Sequence, residues 1–449
     1  MKKKFTYLGV FVLTVFNTFA QQSSLSSQSA SSEATPIKRK CATPILDESF
    51  ESWIADKIQK QQQFTNEKKA AVVYNIPIIF HIIHTGQAVG TGYNISATRI
   101  NQQIARLNAD YRKTNTDQST YLTQASFVSA AADVEINFCA AQINPSGTMM
   151  AEPGIDRIKY SDKGWPAPPY TGSSATIENT IKPSSIWDPT KYFNVWVTAF
   201  SDLTLGYAQF PTVPSGTSPV TDIVGMGGSA LTDGVVIDYS ATGNTTGAYN
   251  LGRTLTHESG HWLGLRHING DASCGNDYVG DTPTQNNLSG TCPTTAGATV
   301  ASGCTASPNP PGRMYQNYMD YSDDKCMVLF TAGQKARMQA VMASCTRRNS
   351  LNTSLVCGNV NLIDYSSILE FNLFPNPSNG LLNVSLDLIN SEDFSISVIN
   401  TLGQVVSEIK QIQSNGSNIK IDLVSQSKGI YFVTVKTKSG SKTKRLIIQ

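Results

Sequence analysis

Residues 72–84 contain a near-continuous apolar run, Ile76-Pro77-Ile78-Ile79-Phe80. Such a run suits a strand buried on both faces. Downstream, Ile100, Ile104, Leu107 and Tyr111 share one helical face, which predicts a helix over 98–113. Shorter apolar stretches at 134–139, 192–198 and 234–239 read as further strands. A polar helix is expected over 50–63. Residues 250–263 and 331–342 read as two more, the first with Asn250 as N-cap and Gly264 just past its end. Between 268 and 311 periodicity disappears.

After a low-signal linker, 350–370, the pattern becomes strictly alternating. Leu382, Val384, Leu386 and Leu388 alternate with polar residues, as do Phe394, Ile396 and Val398, then Tyr431, Val433 and Val435. Asn379-Gly380 and Asn415-Gly416 mark turns. This predicts a small all-β sandwich over 371–449. An α+β domain, with a mixed sheet, helices and an irregular C-terminal part, is expected before it.

A chain of 449 residues has room for about two or three domains. Charged residues are 15%, against about 25% in an average domain, and the net charge is +2. That excludes an electrostatic case for nucleic acid or an anionic membrane. Lys2–Lys4, the apolar Phe5–Phe19 and Ala20-Gln21 compose a secretory signal peptide, 1–20. No other stretch approaches the ~20 apolar residues of a transmembrane helix. Residues 21–70, opening on a Ser/Gln/Ala tract, read as a pro-segment. Export permits disulfides. Cys274, Cys292, Cys304 and Cys326 lie in the irregular stretch, and spacing leaves three connectivities open. Pairing Cys345 with Cys357 would leave Cys139 buried and free.

Three of five histidines fall in His257-Glu258-Ser259-Gly260-His261-Trp262-Leu263-Gly264-Leu265-Arg266-His267. On a helix, His257 and His261 stand one turn apart on one face, where two imidazoles can hold one zinc. Glu258 projects from a neighbouring angle, placed for a water and not for the metal. A turn at Gly264 returns His267 as third ligand, and three protein ligands leave one position open, as catalytic zinc requires. Chance occurrence of all five fixed positions is on the order of 10⁻⁴. This long motif is the metzincin signature, completed by a Met-turn. Here Met319 stands in Asn317-Tyr318-Met319-Asp320-Tyr321, and Tyr321 is placed to offer a phenol to the reaction intermediate. His81 and His84, in the buried strand, read as core or supporting histidines.

With these motifs, residues 72–342 resemble the pappalysin family of metzincins. Further matching pieces are Cys274, Asp277-Tyr278-Val279-Gly280-Asp281-Thr282-Pro283 and Asp324-Lys325-Cys326-Met327. The resemblance implies a metzincin-like catalytic domain over 71–349 and structural calcium on Asp277, Gly280, Asp281 and Thr282. It implies disulfides Cys274–Cys304 and Cys292–Cys326, and a pro-segment cysteine, Cys41, that blocks the open zinc position. It implies that strand 234–239 is the edge pairing with extended substrate. It also puts Asp324 at the base of the pocket for the residue after the scissile bond, hence cleavage before Arg or Lys. Leu373-Phe374-Pro375-Asn376-Pro377, Thr401-Leu402-Gly403-Gln404 and Gly429-Ile430-Tyr431 resemble the sorting domain of the type IX secretion system, the expected export partner. The expected function is a secreted zinc endopeptidase acting on proteins and peptides, made as a latent precursor. The competing reading is a surface adhesin with a vestigial zinc site. It needs a broken motif, and a binding module has no need of Glu258.

Overall fold

The computed structural model describes residues 40–44, 48–65, 73–172, 174–213, 228–305, 312–357, 368–437 and 441–449. The expected signal peptide, the Ser/Gln/Ala tract and residues 358–367 of the expected linker lie outside them.

Among the described residues the first sheet has seven strands: β1 (Lys40–Cys41), β2 (Tyr74–His84), β3 (Ile136–Ala140), β4 (Ile155–Lys159), β5 (Phe193–Thr198), β6 (Thr204–Ala208) and β7 (Val235–Asp238). Their order is β1-β6-β7-β5-β2-β3, with β4 also on β2. The apolar run is central, as its composition predicts. On one side β2 pairs with β5; on the other it pairs first with β3 and then with β4, all in parallel. Only β6 runs against its neighbour β7.

The longest helices are α1 (Glu48–Thr65), α2 (Ala97–Tyr111), α3 (Arg253–Trp262) and α4 (Ala332–Ser344). Ile76, Ile78, Phe80 and Ile82 of β2 pack with Ile100 and Leu107 of α2, Leu255 and Trp262 of α3 and Val341 of α4. Phe50, Trp53 and Ile54 of α1 join this core. The opposite face of the sheet buries Ile83, Ile158, Trp196, Tyr207 and Val236. His81 is held there by Asp156 (2.8 Å) and Asn194 (2.9 Å).

Strand 234–239 is interior and is not the edge: β7 lies between β5 and β6. The outer position belongs to β6, whose five residues Thr-Leu-Gly-Tyr-Ala carry too short a pattern to stand out. Its free side is taken by β1, in parallel, with Cys41 opposite Gly206.

Disulfides join Cys274 to Cys304, Cys292 to Cys326, and Cys139 to Cys357. The expected Cys345–Cys357 pair is therefore incorrect. Cys345 is buried and free, its thiol pushed up to about 12 by burial. The segment around Cys357 instead packs on the end of β3, where Gln142 and Ile143 donate to the Val356 carbonyl.

The C-terminal module is an antiparallel sheet of β8 (Ile368–Phe374), β9 (Leu381–Asn400), β10 (Val405–Asp422), β11 (Gly429–Thr437) and β12 (Ser441–Ile448), in order β10-β9-β11-β12. β8 pairs with the first half of β9 and β11 with the second. The alternating residues Val384, Leu386, Ile396, Val398, Val433 and Val435 enclose a core of their own. Among the described residues, no helix is long and apolar enough to cross a membrane.

Candidate metal centre and catalytic cleft

Every residue of α3 is buried, so its polar groups need internal partners. Asn250 is not the cap. The N-cap is Gly252, at φ 77° and without a side-chain bond. The free N–H groups are met from a distance: Asp324 Oδ2 accepts from Leu251 N (2.9 Å) and Arg253 N (3.1 Å). The Arg253 guanidinium pairs with Asp110 (3.1 Å) and Asp117 (2.7 Å) and donates to the Asp324 carbonyl. Asp110 also accepts from Thr256 Oγ1 and from the Tyr318 hydroxyl. One carboxylate thus ties α2 to the catalytic helix and the Met-turn. Sequence reasoning missed Asp110, Asp117 and Arg253. Asp110 stood beside Tyr111 on the stripe of α2, the one available signal.

The imidazoles are oriented by their Nδ1 atoms. His257 Nδ1 meets the Tyr318 carbonyl and His261 Nδ1 the Leu265 carbonyl, both at 2.7 Å. His267 Nδ1 meets the Asp271 carboxylate. A carbonyl partner fixes the proton on Nδ1 and leaves Nε2 with its lone pair. The three Nε2 atoms converge, His261 Nε2 lying 3.2 Å from that of His257 and 3.1 Å from that of His267. Tetrahedral ligands about 2.0–2.1 Å from zinc stand about 3.3–3.4 Å apart. Lone pairs aimed at one point satisfy a cation and repel one another without it, so this donor set fits zinc.

Gly264, at φ 89°, makes the turn that brings His267 round, in a backbone region costly for any side chain with a Cβ. Beneath α3, Met319 approaches Gly260 so closely that a Cβ there would stand 2.5 Å from its sulfur. The Met319 carbonyl accepts from Ile268 N, next to His267. The Tyr321 ring lies 5.0 Å from that of His267 and 5.7 Å from that of His257.

Cys41 completes the cluster: its Sγ and ligand atoms of the three histidines all lie within 4.8 Å of one another. Its Sγ is 3.4 Å from Glu258 Oε2, which also accepts from Thr43 Oγ1 at 3.0 Å. Burial, then the Glu258 charge, pushes the thiol well above its ordinary value; a cation among the imidazoles acts in the opposite sense.

The residues expected to bind calcium divide. Thr282 Oγ1 donates to Asp277 Oδ2 (2.7 Å) and Val279 N to Asp277 Oδ1. Asp281 turns to the start of α4, accepting from Thr331 Oγ1 and Gly333 N. Burial pushes the Asp277 carboxyl up to about 7. Asp320, also missed, links the Met-turn to the cysteine loop through Gln285 and Ser289.

A mixed sheet with one antiparallel edge strand, a helix bearing two histidines, a third after a glycine turn and a methionine beneath define a metal-dependent peptidase of the metzincin class. Residues 176–343 match the family described as pregnancy-associated plasma protein-A, and residues 372–449 the secretion system C-terminal sorting domain. An extracellular metalloprotease of Neurospora crassa is 31% identical over 271 residues, 60% of this chain and 75% of that protein. One of Colletotrichum graminicola is 30% identical over 338 residues, 71% and 95% respectively. Mature mirolysin of Tannerella forsythia, solved with a cleaved peptide, is 32% identical, covers 65% of this chain and 100% of its own, with a TM-score of 0.53. A promirolysin mutant of the same organism is 31% identical, covering 67% and 92%, with a TM-score of 0.52. The chain belongs to the pappalysin family of extracellular metalloendopeptidases and carries a sorting tail for secretion. Membership implies zinc.

Proposed function

We propose that His257, His261 and His267 hold the zinc and that the chain cleaves extended polypeptides with Glu258 as general base. The observation that carries this is the convergence of three Nε2 atoms beside the Glu258 carboxylate. A bound zinc supplies Lewis-acid chemistry, acidifying water and polarising a carbonyl. Glu258 takes the proton of the attacking water and returns it to the leaving amine. Tyr321 donates a hydrogen bond to the developing oxyanion. Extended substrate takes the β6 groups now used by the pro-segment, the Gly206 carbonyl bonded by Ala42 N and the Ala208 amide bonded to Thr43 Oγ1. The test is hydrolysis of a denatured protein with and without chelator. Glu258→Ala should keep the metal and lose about 10²–10⁴-fold in rate. Near-normal turnover of the metal-loaded variant refutes the mechanism.

In this reading 21–70 is a latency segment ahead of a catalytic domain, 71–349, and Cys41 holds the fourth ligand position. Its support is the thiol's place in the cluster. Cys41→Ala should speed maturation; equal rates for mutant and wild-type precursors remove the switch.

Cleavage before Arg or Lys is assigned to the charge of Asp324, a fully buried carboxylate. Arg engages a carboxylate through two parallel hydrogen bonds and Lys as a point charge, so Arg is preferred. Because Asp324 also caps α3, the informative variant is Asp324→Asn, which keeps an acceptor and removes the charge. New N-termini in a digested protein mixture, read by mass spectrometry, should be enriched in Arg and Lys and lose that enrichment in Asp324→Asn. An unchanged preference removes the assignment. Calcium on Asp277, Gly280, Asp281 and Thr282 completes the proposal; its support is the approach of two side-chain oxygens, Asp277 Oδ2 and Thr282 Oγ1, to 2.7 Å in a loop of little core.

A further inference from the structure

The helix α1 belongs to the segment assigned to removal, yet it packs as a core element. Phe50 and Ile54 are 1% exposed and Trp53 6%. Beside them stands Glu51, with its carboxylate equally buried. Glu51 Oε1 accepts from Arg266 Nε (2.7 Å) and Arg337 Nη2 (2.8 Å), and Oε2 from Arg337 Nη1 (2.5 Å). Both arginines belong to the active-site scaffold. Arg266 immediately precedes His267, and Arg337 Nε holds the carbonyl of Gly264 at 2.7 Å. The Arg337 guanidinium also lies over the Phe50 ring, 5.6 Å from its centroid. Arg266 stacks on Tyr278 at 5.1 Å.

Two buried guanidinium groups share one carboxylate, and that carboxylate is on the removable side. Breaking a buried pair from one side leaves charge uncompensated, so the contact holds strongly once made. Charge-assisted, bidentate bonds give it geometric specificity as well. Nothing in these contacts depends on the peptide bonds that join α1 to β2.

We propose that Arg266, Arg337 and the apolar floor around Gly264 and Val341 form a binding surface that outlives covalent attachment. It takes an amphipathic helix presenting a carboxylate beside aromatic residues, and its occupant is the excised segment 48–65 itself. The proposal rests on the latency reading for one of two anchors: Cys41 at the metal centre and Glu51 at the arginine pair. A single cut after α1 therefore yields a nicked, still-blocked complex. Release requires a second cut between the anchors, in the short connector from Cys41 to Glu48.

The experiment uses the full chain carrying Glu258→Ala, which cannot process itself, with a recognition site for a site-specific protease inserted between Thr65 and Tyr74. After folding and cutting, size-exclusion chromatography with mass spectrometry follows the freed segment. With Cys41→Ala added, the segment should remain bound. With Cys41→Ala and Glu51→Gln together, it should leave at least tenfold faster. Immediate release from the Cys41→Ala protein, or equal release rates with Glu and Gln, overturns the proposal. Rapid release from Glu51→Gln with Cys41 intact removes the cysteine anchor and leaves this one standing. Should Glu51→Gln fail to fold in the chain, synthetic peptides 48–65 decide: the native peptide in excess must displace the bound segment from the nicked Cys41→Ala protein, and the Glu51→Gln peptide must not. Equal displacement by both overturns the proposal.

Discussion

In the proposed calcium site, Asp277 would join pH to metal binding. Its carboxyl is raised to about 7 by burial, against about 3.9 in an unfolded chain. The folded state therefore holds a proton that the unfolded state releases between these values. The stability this contributes is complete below about pH 4 and is lost as pH rises through 7. Calcium needs the ionised form, so its affinity should rise across that window, with a proton released on binding. Calorimetry in buffers of different ionisation enthalpy reads this; affinity independent of pH between about 5 and 8 excludes Asp277 as a ligand. At Gly260 the prediction is steric. A Cβ would stand 2.5 Å from the Met319 sulfur, and Met319 is fully buried, so Gly260→Ala should cost about 1–3 kcal/mol by overpacking. The loss, read by denaturant midpoint, should shrink in a Met319→Ala background. An equal loss in both backgrounds would mean the two do not touch. Sequence carried the three histidines and Met319 because their spacing is their signal. It carried nothing of Asp271 or Asp320, which act by proximity created in folding.

The catalytic helix is tied to its surroundings by a buried ion pair from its own first residue. Arg253 and Asp110 are both fully buried. Replacing Arg253 by Ala leaves the buried Asp110 carboxylate without its guanidinium partner and should cost about 3–5 kcal/mol, enough to consume much of a domain's stability. A shift in the urea midpoint measures it, and a loss below about 1 kcal/mol would show that water replaces the guanidinium. Helices and the central strand were legible because their apolar periodicity is local. The strand β6 was not, since five residues with a central Gly206 carry no pattern, and its role comes from its position at the sheet edge. The cap on α3 was equally hidden. Asn250 has the right chemistry near the right place, but the oxygen that meets the amides belongs to Asp324, which only the disulfide-tied loop around Cys326 brings there.

At the scale of the chain, the apolar core of the C-terminal sheet is a cluster separate from the main core of the peptidase. A chain ending after Cys357 should therefore fold, hydrolyse protein and fail to reach the medium or the cell surface. Loss of activity on truncation, measured on purified protein of equal zinc content, would show that the peptidase needs its tail to fold. The tail was legible from Leu382 onward by its alternation, while β8, which starts inside the expected linker, was not; nor was the Cys139–Cys357 pairing, which has no local signature. That bridge spans a sequence separation of 218, and closing so long a loop is worth about 5 kcal/mol on the chain-entropy estimate. It also sets a mechanical path. Cys139 lies on β3, which pairs with the central strand β2. Any pull on the tail, from an export machine or a tether in flowing liquid, reaches the sheet through a covalent bond. Residues 140–356, which carry the three histidines, lie inside the loop that this bridge closes and off that path.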